Sequence, residues 1–452
     1  MRVRLFVKRR TGFGLAANFG RRAVWLLMAA IALFTLGLVL LAPRAFAQTP
    51  SPAALTRQVL DQFFTQHYDE IYARFSPEMK RAITLETYKA QAAQIRSLGA
   101  LKSAEEPRIE TRGDETLVTI PLHWPAATLN FAVQWNQTGE IAGTWFAPPP
   151  APAWQRPPYS APDSFTEREV TVGADEWKLP ATLTVPNGKG PFPALVLVHG
   201  SGPNDRDESV GAAKVFRDLA EGLASRGIAV LRYEKRTKVY PNQCAADPSF
   251  TMTKETVEDA LRAAALLRGE KDIDPRRVFV LGHSQGGYMV PRIAARDPKL
   301  AGAIVLAGNV RPLEELIVEQ TEYLASLQGP LTAEDRQRLA AIKQNPLAML
   351  HLPAHYVLDL KGYNPAAEAK KLGLPLMILQ GGRDYQVSLL DFALWKAALE
   401  GRKNVTLRVY PNLSHLFEAG EGESTPAEYQ QPGHVADVLI DDIARWIAAN
   451  PV

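Results

Sequence analysis

Val278-Phe279-Val280-Leu281-Gly282-His283-Ser284-Gln285-Gly286-Gly287 reads as a buried strand that runs into a sharp turn. Four apolar residues, two of them β-branched valines, form the strand. The Gly-x-Ser-x-Gly that follows is a strand-to-helix elbow that lifts one hydroxyl out of the sheet. Such a turn strains the serine backbone and brings the next helix close to the strand, so side chains at Gly282 and Gly286 would clash. A bare Gly-x-Ser-x-Gly recurs by chance. Placed after a strand and before the helical run Tyr288 to Arg296, it carries weight. Pro291 inside that run removes a backbone donor and predicts a slight kink.

Three further strand ends supply matching chemistry. Ala194 to Val198 runs into His199-Gly200-Ser201-Gly202-Pro203, a turn with amides to offer an oxyanion. Leu374 to Gln380 ends in Gly381-Gly382-Arg383-Asp384, and Val405 to Tyr410 is followed by Pro411-Asn412-Leu413-Ser414-His415. The order is oxyanion loop, Ser284, Asp384, His415, which differs from the orders in chymotrypsin and subtilisin. From Phe165 to Val452 the chain resembles an α/β-hydrolase. In particular it is similar to exported bacterial esterases related to the dienelactone-hydrolase and serine-aminopeptidase groups. His199 to Asp207 and Leu379 to Val387 carry that likeness most closely.

A serine hydroxyl needs a base within hydrogen-bond reach, and His415, in a loop after the last strand, is the candidate. Asp384 would set its tautomer. The preceding strand end, Ala307-Gly308-Asn309-Val310, has no acid until Glu314. Gln285, just after the nucleophile, and Ser201 are the expected oxyanion donors, with Gly202 the alternative to Ser201. His283 and His199 read as structural. His351 and His355 are four apart, but Pro353 lies between them and no third ligand is near, so no metal and no cofactor is expected. Cys244, the single cysteine, excludes an intrachain disulfide and reads as a loop residue. The charged runs Asp205 to Glu208 and Arg232 to Arg236 are expected to pair with one another and fix loop shape. Arg383 reads as a loop brace.

The first 47 residues carry eight basic residues and no acid; without these eight the net charge of +3 becomes −5. The basic balance therefore belongs to the leader, and no basic stripe interleaved with aromatics suggests nucleic acid. Ala23 to Ala42 is apolar apart from Thr35 and Gly37 and precedes Ala45-Phe46-Ala47. Residues 1–47 are thus expected to be a signal peptide, or an uncleaved anchor that would be the one link to a membrane. Either way the enzyme is expected outside the cytoplasm, periplasmic or extracellular. Arg9-Arg10 and Arg21-Arg22 leave twin-arginine export open.

Residues 53–147 predict a small α+β domain. Leu55 to Phe75 has helical spacing, a second helix runs from Leu85 to Leu98 behind Thr84, and a meander follows over Glu115–Leu122, Thr128–Trp135 and Ile141–Phe146. It resembles the cystatin-like or nuclear-transport-factor-like modules that precede some exported hydrolases. Residues 148–163 form a proline-rich linker. Residues 164–452 alternate strand and helix, which predicts a mostly parallel sheet covered on both faces. Residues 312–371 break that rhythm with two amphipathic stretches and read as a helical cap. The expected function is a carboxylesterase on small or medium acyl esters. A serine peptidase or amidase on the same fold, and a non-catalytic binding protein, are the alternatives.

Overall fold

The computed structural model describes residues 50–450 except 97, 125–127, 151, 175, 328 and 348–351. The expected leader at 1–47 and His351 lie outside the described residues. The chain divides into two compact units at Pro149 and Pro150.

In the first unit Ser51 caps the helix Pro52–Phe64 by accepting from the Ala54 amide. The spacing over Leu55 to Phe75 predicts one helix, but the structure breaks it. Thr65 Oγ1 donates back to the Asp61 carbonyl at 2.8 Å, Gln66 takes φ 63°, and a new helix covers Tyr68–Ala73. A further helix, Pro77–Ala82, starts behind Ser76, whose hydroxyl accepts from the Met79 amide; a cap followed by proline at the first helical position signals such a start. After Leu85–Arg96 come antiparallel strands at Glu115–His123, Thr128–Trp135 and Ile141–Ala147. Their registers align Ile120, Phe131 and Phe146 across the core face. Two strands not expected, Ser103–Ala104 and Arg108–Arg112, pair with Glu115–His123 at the sheet edge. Their polar sequence hid them.

Among the described residues the main sheet of the second unit has eight strands, β1 (Phe165–Val172), β2 (Leu179–Pro186), β3 (Phe192–Val198), β4 (Ala229–Tyr233), β5 (Ile273–His283), β6 (Gly302–Leu306), β7 (Leu376–Gly381) and β8 (Val405–Tyr410), apart from a two-stranded ribbon of Ser209–Val210 and Ala213–Lys214. They are ordered β8-β7-β6-β5-β3-β4-β2-β1. The pairs among β3 to β8 are parallel, while β2 runs antiparallel to β4 and β1 to β2. This is the α/β-hydrolase sheet.

The central strands are apolar on both faces because helices cover both. Val196, Val198, Val278 and Val280 point into one core with α2 (Glu258–Gly269) and α3 (Gln285–Arg296). Leu195, Leu197, Phe279 and Leu281 point into the other with α1 (Val215–Ala224) and α4 (Asp437–Ala449). That alternation is the period of two of a strand, and it is why each strand reads as an unbroken apolar run. Pro291 is accommodated within α3, which continues to Arg296.

Between β6 and β7 lie helices at Leu313–Ser326, Ala333–Gln344, Ala354–Leu360 and Pro365–Ala369. The last buries Ala366 and Ala369 in the core beside α3. The stretch read as a cap, 312–371, therefore reaches past the cap into the body of the unit. Among the described residues no helix is long and apolar enough to cross a membrane.

Candidate active site

Ser284 sits between β5 and α3 with φ 52° and ψ −115°, the strained conformation the elbow requires. Such a geometry costs on the order of 1–3 kcal/mol and survives only where the surroundings enforce it. Here the enforcement is close packing. A Cβ on Gly282 would lie 2.3 Å from the backbone of Gly286, and one on Gly286 would lie 2.1 Å from the Val198 carbonyl oxygen. The Ser284 amide donates to the Leu306 carbonyl at 2.9 Å, which ties the turn to β6.

Asp384 and His415 meet beyond the ends of β7 and β8. His415 Nδ1 lies 2.7 Å from Asp384 Oδ2, and both residues are buried. Asp384 Oδ1 accepts from the amides of Gln386 and Val387, at 2.8 and 2.9 Å, and Oδ2 accepts from Gln380 Nε2 at 2.9 Å. Four N–H groups thus converge on one carboxylate, which fixes the face it offers the imidazole. Gln380 was not singled out from the sequence. Its signal was there: one amide side chain at the end of an otherwise apolar strand.

His415 is brought to the elbow through His283, whose Nε2 lies 3.0 Å from the His415 carbonyl oxygen, with the two rings 4.8 Å apart. No hydrogen bond joins Ser284 Oγ to His415 among the described residues. Bonds of this kind tighten when substrate is present.

Ser201, Gly202, Ser284 and Gln285 all line one cavity of about 660 Å³. The Gln285 amide opens α3 and has no partner within the helix, and the helix dipole adds positive potential there. The loop before Ser201 is braced on both backbone sides. The Gly200 amide donates to Glu208 Oε1 at 2.5 Å, and its carbonyl accepts from Lys235 Nζ at 2.7 Å. His199 braces the same loop, with Nε2 3.1 Å from the Asp205 carbonyl oxygen. Burial pushes the His199 pKa down to about 4, so it stays neutral near pH 7.

The charged runs pair with one another only in part, through Arg206 with Glu234 and Arg232 with Asp207; the remaining pairs reach other elements. Arg206 bridges Glu169 and Glu234, Arg232 bridges Asp207 and Glu167, and Arg236 holds Asp259 at 2.6 Å. Arg383 pairs with Glu428 and donates to the Gly422 carbonyl. Cys244 departs from its expectation: it lies in a short helix, Pro241–Ala246, and lines the cavity. Burial pushes its thiol up to about 11, so little nucleophilic thiolate exists near neutral pH. Among the described residues no group of three His, Cys, Asp or Glu could hold a metal ion.

Glu418, on the loop that carries His415, is buried with Oε1 unpartnered. Burial, with Asp218 and Glu428 nearby, pushes its carboxyl up to about 7. The folded chain therefore holds this proton more tightly than the unfolded chain, whose glutamates titrate near 4.3. The stability contributed is complete below that lower value and is lost as pH rises toward 7. Glu418→Gln is expected to stabilise the protein at pH 8 by as much as ~3 kcal/mol and to flatten the decline between these values. Urea unfolding at pH 5 and pH 8 checks this; equal stability of both proteins at pH 8 contradicts it.

A family described as serine aminopeptidase, S33, matches residues 191–421. The chain belongs to the serine aminopeptidase S33 family. Esterase EstD of Thermotoga maritima is 40% identical over 365 residues, which cover 79% of this chain and 84% of the relative. As a member of the S33 family with an esterase relative over most of its length, the chain is a carboxylesterase-type hydrolase. A second family, described as a protein of unknown function (DUF3887), matches residues 56–143. It makes the first unit a separate module, of the nuclear-transport-factor-like kind. Among solved structures, a dienelactone hydrolase from Anabaena variabilis has a TM-score of 0.40 at 17% identity, covering 64% of this chain and 100% of that one. A Mycobacterium tuberculosis puromycin-hydrolyzing peptidase has a TM-score of 0.41 at 19% identity, covering 78% and 48%.

Proposed function

We propose that this S33 protein cleaves neutral carboxylic esters of small or medium acyl chain length through a Ser284 acyl-enzyme. Ser284 Oγ attacks the ester carbon while His415 takes its proton, and Asp384 holds the imidazole and stabilises its charged form. The amides of Gln285 and of Ser201, or Gly202 in its place, receive the oxyanion. The alcohol leaves with the proton from His415. A water that His415 then deprotonates releases the acid and restores Ser284.

The observation that carries the reading is the cavity beside Ser284. Its walls are mainly apolar, with Leu313, Leu316 and Ile317 from the stretch read as a cap, together with Phe250 and Met252. Among the described residues Glu255 is its only charged lining group. That carboxylate is already committed: Lys235 Nζ lies at 3.1 Å, Tyr356 OH donates at 2.5 Å, and Gln285 Nε2 donates at 3.2 Å. Among the described residues of the lining no free charge is left to anchor a peptide terminus, which favours a neutral ester over an aminoacyl substrate. Paired turnover measurements on a p-nitrophenyl acyl series and on aminoacyl anilides test the choice. Faster turnover of the anilides would reverse it.

If the cap supplies the acyl wall, Leu316→Ala with Ile317→Ala should move the preference to longer chains and slow the chains that now fit best. Each methylene buried is worth about 0.8 kcal/mol, roughly fourfold in specificity. An unchanged chain-length profile in the doubly substituted enzyme would remove the cap from the pocket. Because the basic leader, its apolar run and Ala45-Phe46-Ala47 have the form of an export signal, we further propose that the enzyme acts outside the cytoplasm. Cell fractionation with N-terminal sequencing tests this.

A further inference from the structure

Behind the reacting groups lies a second carboxylate–imidazole pair that the proposed mechanism does not use. Glu208 and His283 are both almost fully buried, at 2% and 3% exposure. Glu208 Oε2 lies 2.9 Å from His283 Nδ1. The other oxygen, Oε1, accepts from the Gly200 amide at 2.5 Å, and His283 Nε2 lies 3.0 Å from the His415 carbonyl oxygen. A Cβ added at Gly200 would lie 3.2 Å from both Glu208 Oε1 and Ser284 Cβ, and 3.6 Å from His283 Nδ1. The two side chains therefore sit directly beneath the elbow.

We infer that Glu208 and His283 are positioning residues that lock the oxyanion loop and the His415 loop into one frame around Ser284. The frame runs from the amide of Gly200, next to Ser201, through Glu208 and His283 to the backbone of His415. It joins the loop after β3, the end of β5 and the loop after β8, and nothing in the chain order holds these three in mutual register. One observation shows that Glu208 is held under constraint, and another favours charge on the pair. Glu208 keeps φ 48°, a left-handed conformation that a non-glycine residue adopts only under constraint. Burial opposes charge on both groups, yet each outweighs it for the other: the His283 pKa is raised by the Glu208 carboxylate, and that of Glu208 is lowered by His283. With His283 protonated, both ring nitrogens are donors: Nε2 reaches the His415 carbonyl, while Nδ1 meets Glu208 Oε2 as an ion pair at 2.9 Å, without the alignment of a hydrogen bond. The frame is thus complete only when both partners are present.

The inference rests on Ser284 and His415 as the reacting residues, and its test keeps the two apart. kcat and KM for a p-nitrophenyl ester are measured for Glu208→Ala, His283→Ala, the double variant and Glu208→Gln, with active sites counted by a fluorophosphonate. Misplacing reacting groups by about 1 Å costs roughly 10²-fold. Each alanine variant should therefore lose about that much in kcat per titrated site, with KM within about threefold of wild type. Members of one network are not additive, so the double variant should be no more than about threefold worse than the worse single. Glu208→Gln keeps an acceptor for Gly200 and should recover part of the loss. Single variants with near-normal kcat overturn the inference, as does a loss explained by fewer titrated sites, or a double variant equal to the product of the singles. Should the alanine variants fail to fold, the same cycle with Glu208→Gln and His283→Gln decides by the same criteria. If Ser284→Ala retains turnover, the triad reading fails instead; if it is inactive while the Glu208 and His283 variants are normal, only this inference fails.

Discussion

Ser284→Ala is expected to lower turnover of a p-nitrophenyl ester by about 10⁴-fold or more while leaving the melting temperature close to that of wild type. The two halves of the expectation have separate causes. The hydroxyl faces the cavity rather than the core and has no hydrogen-bond partner among the described residues, so its loss removes little packing. The backbone strain at φ 52° is shared by serine and alanine alike, because both carry a Cβ. Chemistry, by contrast, has no other route: the one nearby thiol, Cys244, is held far above neutral pKa by burial. Kinetics and a thermal melt on the same preparation check the pair. A variant that keeps one per cent of wild-type turnover contradicts the account.

Asp384→Asn is expected to cost roughly 10³–10⁴-fold in turnover. The amide keeps the shape of the carboxylate, yet it cannot stabilise an imidazolium. The site of Asp384 also punishes the change in a specific way. Gln380 Nε2 and the amides of Gln386 and Val387 all donate to the carboxylate. An asparagine there must keep its oxygen toward the two backbone amides, which turns its NH₂ toward Gln380 and His415. The hydrogen bond to Nδ1 then runs in reverse and sets the wrong tautomer. Some stability is lost as well, since two donors would face each other at Gln380. Turnover close to wild type would mean that another acid serves His415, with Glu314 the first to test.

How much of this was legible depended on whether a residue declares itself locally. The elbow did, because glycines two positions either side of a serine after an apolar strand have one steric explanation. β3, β6, β7 and the second half of β5 did as well, because burial on both faces leaves unbroken apolar runs, and the edge strand β8 declared itself by alternation, with Thr406 and Arg408 exposed between Val405, Leu407 and Val409. β1 and β2 did not: β1 is the sheet edge, and between Phe165 and Val172 its side chains are mostly exposed, so it reads as a polar loop. The break at Gln66 was equally hidden. Apolar spacing continues across it, since Tyr68 and Ile71 are buried in the same core as Phe63, and only the Thr65 back-bond redirects the chain. Asp384 and His415 could be found from their strand ends and their order. Glu208 could not, because its importance lies in contacts with Gly200 and His283, one nearby and one 75 positions away. In the sequence it is simply the last member of the charged run Asp205 to Glu208, with nothing local to set it apart.

The identity of the nucleophile decides the mechanism. Wild-type enzyme and Ser284→Ala should be treated with a fluorophosphonate, digested and mapped by mass spectrometry. The expected result is a single adduct on Ser284 in the wild type, none in the variant, and loss of esterase activity in proportion to labelling. An adduct on another residue that tracks the loss of activity, or equal labelling of the variant, would contradict the assignment of Ser284 as the nucleophile.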